Sequence, residues 1–410
     1  MLIKRILLAS VLLACAFVPL RAEDNAGACV AGDPFHWQEH PAVSGLPKLC
    51  QGIADASIGR RAKAERHLNS VIRQTPRSSS SYRAHEALTW MYFREGKYQR
   101  ANAQLEQMIA ENPGAEDAGS VHSLFAVLAQ YPEQKVAKSR PSRVRSETID
   151  NNLFVPVTIN GVSGTYIADT GANISVLCES EARRLGLKVG ETTTKMSDIS
   201  GTPASISMRV TEAPDLWIGK THLKHVAFDV VPDANEPFVD LPERHKGVLG
   251  IPVLIALGIF RIDSGNRVEI LPASAETSEG RVPLAFDGAM PVTRVVVSGK
   301  TLSFTFDTGA DRTYLYPPFA AEFPELTREG SKQSSTMTGF SGSKAHESVV
   351  LPSVNLSLGK AVTLAPATVF LKTSSDASEW AAGNLGFDLI SQAIPITIDF
   401  QTMRLIVEAP

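Results

Sequence analysis

Tyr166-Ile167-Ala168-Asp169-Thr170-Gly171-Ala172 and Phe304-Thr305-Phe306-Asp307-Thr308-Gly309-Ala310 are one seven-residue phrase written twice, an apolar run that ends in Asp-Thr-Gly-Ala. Gly161 and Gly299 each stand eight residues before the Asp. Outward from the two phrases the agreement continues in order. Met196 and Ser200-Gly201 recur as Met337 and Ser341-Gly342, and Leu216-Trp217-Ile218-Gly219-Lys220 recurs as Leu356-Ser357-Leu358-Gly359-Lys360. Val248-Leu249-Gly250 is answered by Asn384-Leu385-Gly386, and Phe260-Arg261-Ile262-Asp263 by Ile396-Thr397-Ile398-Asp399, with every offset between 136 and 141. Order-preserving agreement over that length means two copies of one domain, here bounded at 150–275 and 276–410. Short β-branched runs closed by Gly, Pro, Asn and Ser make each copy mainly β.

A different repeat precedes them. Gly59, Ala64, Leu68 and Pro76 recur as Gly96, Ala101, Leu105 and Pro113, each pair 37 residues apart. Ala84, Leu88, Met91 and Tyr92, then Ala101, Leu105 and Met108, keep three- and four-residue steps, which predicts paired amphipathic helices over 53–131. A further helix near 119–130 would close the array. The stretch Trp90 to Pro113, with Gly96-Lys97-Tyr98 and Ala101, resembles the tetratricopeptide repeat, whose period is about 34 residues; the polar run Ser78 to Ser81 absorbs the excess. Residues 132–149 carry Lys135, Lys138, Arg140, Arg143 and Arg145 between Pro132 and Pro141 and their surroundings without an apolar period, and read as a solvated linker.

The first 22 residues read as an export signal: Lys4 and Arg5, an apolar run from Ile6 to Pro19, and Leu20-Arg21-Ala22 as a cleavage site. Leu12-Leu13-Ala14-Cys15 offers the competing reading of a lipoprotein signal, which would anchor the chain to a membrane through Cys15. Either way the expected location is outside the cytoplasm, periplasmic or secreted. Losing residues 1–22 removes three cations and no acid, so the formal charge moves from −3 to −6, and no nucleic-acid partner is expected. Within the N-terminal segment 23–52, Cys29 and Cys50 are candidates for a disulfide, leaving Cys178 as a buried thiol.

Asp-Thr-Gly-Ala, placed twice at equivalent points of a duplicated β domain, resembles the aspartic proteases, and the retropepsin-like ones in particular. The resemblance covers about 150–410 and includes the apolar-apolar-Gly element at Val248-Leu249-Gly250; the second copy departs from it with Asn384. It implies a multidomain chain: an all-α tetratricopeptide-like module followed by an all-β, two-lobed aspartic protease (acid protease barrel) fold. It also implies that Asp169 and Asp307 are a catalytic pair, with Thr170, Gly171, Ala172, Thr308, Gly309 and Ala310 supporting the two loops. The segments holding Ile199 and Gly201, and Gly339 and Phe340, stand where the family has its substrate-covering flaps. The implied activity is aspartic endopeptidase on a peptide or protein substrate, with no cofactor and no metal. The alternative is a peptide-binding scaffold that keeps the fold without cleaving, and the helical repeats would be free to bind a protein partner in either case.

The chemistry accounts for the duplication. Peptide hydrolysis by water needs a base for the water and an acid for the substrate oxygen and then the leaving nitrogen. Two adjacent carboxylates cannot both ionise cheaply, so they share one proton. Other motifs carry less. Gly299-Lys300-Thr301 lacks the leading glycine of a phosphate loop, and His222 with His225 has no third ligand nearby. Ala172 and Ala310 stand where pepsin-like enzymes carry a hydroxyl, and losing a hydrogen bond to the charged form raises a carboxyl pKa. The expected pH optimum is therefore mildly acidic in a pH–activity profile, and an optimum below about pH 3 would contradict it.

Overall fold

The computed structural model describes residues 33–35, 47–111, 119–196, 206–272, 280–339, 342–372 and 377–408. Helices α1 (Lys48–Ser57), α2 (Arg61–Gln74), α3 (Ser79–Arg94), α4 (Tyr98–Glu111) and α5 (Gly119–Leu128) form the N-terminal part. The 37-residue repeat is visible in their joints. Gly59 and Gly96 both turn the chain at φ 68, between α1 and α2 and between α3 and α4. That left-handed conformation suits glycine because it carries no Cβ. Ala64 and Ala101, Leu68 and Leu105 are all fully buried, the small alanines admitting the neighbouring helix. Ser78 caps α3 by accepting a hydrogen bond from the Ser81 amide at 3.1 Å.

From residue 135 onward the chain is mainly β, with short helices between the strands. In the first copy, Asn152–Ile159 pairs antiparallel with Val162–Ala168, whose end delivers Asp169. Gly247–Leu249 lies parallel to Val162–Ala168 and antiparallel to Ser175–Cys178. The second copy repeats the pattern. Met290–Val297 pairs with Lys300–Phe306, which delivers Asp307; Gly383–Leu385 lies parallel to it and antiparallel to Tyr314–Leu315. The two copies are joined by one sheet in the order Ser142–Arg145, Arg267–Leu271, Ile259–Asp263, Ile396–Asp399, Arg404–Val407, Arg281–Asp287. At its centre Phe260 faces Ile398, Arg261 faces Thr397 and Ile262 faces Ile396. Arg261 and Thr397 are equivalent positions of the repeat, so the local twofold axis passes between them.

Residues 132–149 do not form the solvated linker expected from their charge. Lys135–Lys138 pairs with Thr221–Val231, Ser142–Arg145 with Arg267–Leu271, and Glu147–Ile149 with Asn152–Ile159. Ser142–Arg145 is the counterpart of the start of Arg281–Asp287, so the first lobe begins before residue 150. Edge strands are held by backbone hydrogen bonds and keep their charges in water, and no apolar period betrays them. Arg143, for example, is exposed and ion-paired with Glu269.

The helices lie against both lobes: α1 touches Arg281–Asp287, α3 touches the helix Ile251–Leu257, and α5 touches Thr193–Met196. Arg94, at the end of α3, is buried there. It donates to Gly288 O at 2.8 Å and to Ala56 O in the last turn of α1, and its guanidinium lies 4.6 Å over the Phe286 ring. Gln134 Nε2 donates to Pro252 O at 2.7 Å, and Tyr131 Oη to Val210 O at 3.1 Å. Near the N-terminus Phe35 is buried against Ala285 and Val292, while Asp33 accepts from Ser303 Oγ at 2.9 Å. Cys50 is disulfide-bonded, and Cys29 and Cys15 lie outside the described residues. Cys178 is free and buried. No helix among the described residues is long and apolar enough to cross a membrane.

Asp229, in Thr221–Val231, is buried at this junction with neither oxygen hydrogen-bonded among the described residues, and its charge is felt by the buried Tyr98 hydroxyl at the start of α4. Burial pushes the Asp229 carboxyl up to about 8. An unfolded Asp ionises near pH 4, so the folded chain holds one proton more between about pH 4 and about pH 8, and stability falls as pH rises through that window. Asp229→Asn should therefore raise the thermal midpoint by a few degrees at pH 8 and change it little at pH 4, measured by thermal denaturation at both pH values.

Candidate active site

Each Asp-Thr-Gly-Ala loop leaves its strand at the point where the parallel neighbour ends. The Asp169 amide donates to Leu249 O and the Asp307 amide to Leu385 O, both at 3.0 Å. Ile251 N donates to Ala172 O at 2.8 Å and Phe387 N to Ala310 O at 2.7 Å, closing each loop. Gly250 and Gly386 are needed here because a Cβ at either would run into backbone, at Ile174 and Ala172 in one lobe and at Arg312 in the other.

Inside the loops, the amides of Gly171 and Ala172 donate to Asp169 Oδ1 at 2.8 and 3.0 Å, and those of Gly309 and Ala310 donate to Asp307 Oδ1 at 3.0 Å each. The lobes are locked by reciprocal threonine bonds. Thr170 N donates to Thr308 Oγ1 and Thr308 N to Thr170 Oγ1, both at 3.0 Å. Thr170 Oγ1 in turn donates to Phe306 O at 2.7 Å and Thr308 Oγ1 to Ala168 O at 2.6 Å. Each hydroxyl therefore bonds the strand end that carries the other lobe's Asp.

Asp169 and Asp307 are both buried, at 0% and 1% exposure. They are close: a Cβ on Gly309 would collide with the Asp169 carboxylate. Burial first, and then the Asp307 carboxylate, push Asp169 well above the usual carboxylate range, against the opposing pull of the Gly171 and Ala172 amides. A buried carboxyl that stays protonated beside a second carboxyl is what shared-proton acid–base chemistry requires.

The structure brings Asp169, Thr170, Gly171 and Ala172 together with Asp307, Thr308, Gly309 and Ala310. Ile199, Gly201 and Phe340 lie outside the described residues. The strands flanking those segments form two hairpins: Thr193–Met196 pairs with Ile206–Ile218, and Ser331–Gly339 with Gly342–Leu351, Gly339 facing Gly342. Met337 in the second hairpin is buried with Tyr316, Phe370 and Ala381, and Tyr316 lies close enough to Asp307 to feel its charge. No motif in the sequence marks Tyr316. Asn384 was visible only as a departure from the repeat; its Nδ2 donates to Asp307 Oδ2 at 2.9 Å. His222 bonds Asp215 and His225 bonds Glu212 across one hairpin, each at 2.6 Å. Gly299 is a turn at φ 80, matched by Gly161 at φ 77.

A two-lobed β domain with one Asp-Thr-Gly-Ala loop from each lobe defines the aspartic-protease type. Residues 155–253 match the family described as "Aspartyl protease". No curated protein matches. Among solved structures it is similar to a retropepsin-like aspartic protease from Rickettsia conorii, with 18% identity and a TM-score of 0.23 over 34% of this chain and 92% of that one. It is also similar to the aspartic proteinase from Irpex lacteus, with 11% identity and a TM-score of 0.42 over 65% and 96%. A third is the retroviral protease-like domain of Ddi1 from Leishmania major, with 21% identity and a TM-score of 0.18 over 30% and 94%.

The threonine lock makes a stability prediction. Thr170→Val leaves Thr308 N without an acceptor and Phe306 O without a donor, at a cost of about 1–3 kcal/mol for each stranded buried group. Thr308→Val should cost the same, and the double variant less than the sum because both belong to one network. Denaturant unfolding of the three variants measures this.

Proposed function

We propose that this chain is an exported aspartic endopeptidase that hydrolyses peptide bonds with water activated by Asp169 and Asp307. The observation that carries the reading is the pair of buried, amide-held carboxyls brought together from two lobes, one of them held well above the normal range by burial and by the other. Such a pair provides an acid and a base side by side at one pH. One carboxylate takes a proton from water as the water oxygen bonds to the peptide carbon, and the other gives its proton to the carbonyl oxygen. The resulting neutral diol collapses as the first carboxyl protonates the nitrogen and the carbon–nitrogen bond breaks. The diol proton returns to the second carboxyl, which restores the starting state. The substrate is a peptide or protein segment extended between the lobes beneath the two hairpins, and the leader at residues 1–22 directs the enzyme out of the cytoplasm.

The test is cleavage of a diverse peptide library by purified 23–410 between about pH 3 and about pH 8. Asp169→Asn and Asp307→Asn should each lower turnover by about 100-fold or more while leaving the thermal midpoint of a folded protein. Turnover that survives both substitutions would overturn the assignment; a folded wild type that cleaves nothing across the range would favour a peptide-binding scaffold.

A further inference from the structure

The two halves of the dyad are held unequally, and the inequality is traceable to two residues. In the first lobe Val248 lies beside Ile167; at the same place in the second lobe Asn384 lies beside Thr305. An apolar pair has become a polar one. Thr305 Oγ1 lies 2.5 Å from Asn384 Oδ1, and Asn384 Nδ2 lies 2.9 Å from Asp307 Oδ2. The lengths support that orientation of the amide, because O–H···O bonds run at about 2.5–3.0 Å and N–H···O bonds at about 2.7–3.2 Å. The Thr305 hydroxyl thus holds the amide oxygen and leaves the NH2 group facing the carboxylate. All three side chains are buried, Thr305 at 2%, Asn384 at 4% and Asp307 at 1% exposure.

Asp307 consequently accepts from the amides of Gly309 and Ala310 on one oxygen and from Asn384 on the other. Asp169 accepts from Gly171 and Ala172, both on Oδ1; among the described residues its buried Oδ2 has no N–H or hydroxyl donor, and the Asp307 carboxyl acts on Asp169 instead. An amide NH2 can only donate, so it stabilises a carboxylate and offers nothing to a protonated oxygen. A further titratable group near Asp307 is the buried Tyr316 hydroxyl, which that carboxylate pushes further toward its neutral form.

We propose that Asn384 is a positioning residue that decides where the single proton of the dyad rests, holding Asp307 as the carboxylate and leaving the proton on Asp169. This rests on the peptidase reading and assigns its two roles. Asp307 takes the proton from water as the oxygen–carbon bond forms, and later gives it to the nitrogen as the carbon–nitrogen bond breaks. Asp169 gives its proton to the carbonyl oxygen and recovers one from the diol. Thr305 serves Asn384 by fixing which way the amide points.

The experiment is a carbon-13 titration of the Asp side-chain carboxyls in purified 23–410, assigned with Asp169→Asn and Asp307→Asn, for the wild type, Asn384→Val and Thr305→Val. In the wild type Asp307 should ionise first and Asp169 several pH units later. In Asn384→Val the gap between them should narrow by about one unit, a tenfold change in the proton's partition, and in Thr305→Val by less. The acidic limb of kcat/KM should move up by the same amount while KM for a given peptide changes less than about twofold. The exchanged variant Val248→Asn with Asn384→Val should move the proton to Asp307. Asp169 ionising first in the wild type, or an Asn384→Val titration superimposed on the wild type, would overturn the inference. If Asn384→Val does not fold, Thr305→Val decides, since it leaves the asparagine in place. The titration needs no cleavage, so a protein that shows the expected order but hydrolyses nothing sinks only the peptidase reading. Cleavage that depends on both Asp residues, with the order reversed, sinks only this one.

Discussion

Two carboxyls buried against each other repel as soon as both ionise, and everything around Asp169 and Asp307 answers that constraint. The two loops are tied to each other. The hydroxyl of Thr170 bonds the strand end that carries Asp307 and the hydroxyl of Thr308 the strand end that carries Asp169, so each lobe fixes the other. Backbone amides from the Gly-Ala step of each loop then supply donors without adding a charge. Hydrogen bonds in a dry interior are strong, and an unpaired group there is costly, so such a network is held complete or fails as a unit.

The sheet that joins the lobes serves the same end at longer range. Because Ile259–Asp263 pairs with its own repeat counterpart Ile396–Asp399, the twofold relation of the loops is built into a continuous backbone ladder. The helices add a second brace. Through α1 and Arg94 they grip the second lobe, and through α3, α5, Gln134 and Tyr131 they grip the first, including the strand that leads into its hairpin. Arg94 shows the cost of that brace: a guanidinium buried with carbonyl oxygens and an aromatic face as its partners, its basicity lowered by burial to about 10.

Symmetry of fold does not extend to symmetry of charge. The duplicated loops match atom for atom in their amide bonds, yet Asn384 and Thr305 give Asp307 a donor that Asp169 lacks. A chain that carries both lobes can differentiate them, because each position of the pair is separately encoded.

The sequence by itself determined the duplication, the β character of both copies, the helical repeat before them and the identity of the two Asp-Thr-Gly-Ala loops. These features are local or periodic: a phrase repeated at a constant offset survives without knowledge of contacts, and helical spacing is written in consecutive residues. The strands at 135–149 were illegible because edge pairing uses backbone groups that every residue has, while the exposed Lys and Arg side chains hide it. Tyr316 beside Asp307 and Asp229 beside Tyr98 were equally hidden, since each belongs to a contact between segments distant in the chain. Asn384 was legible as a broken match, but its meaning was not: only the tertiary structure turns its amide toward one carboxylate, because that direction depends on Thr305 across a parallel strand pair.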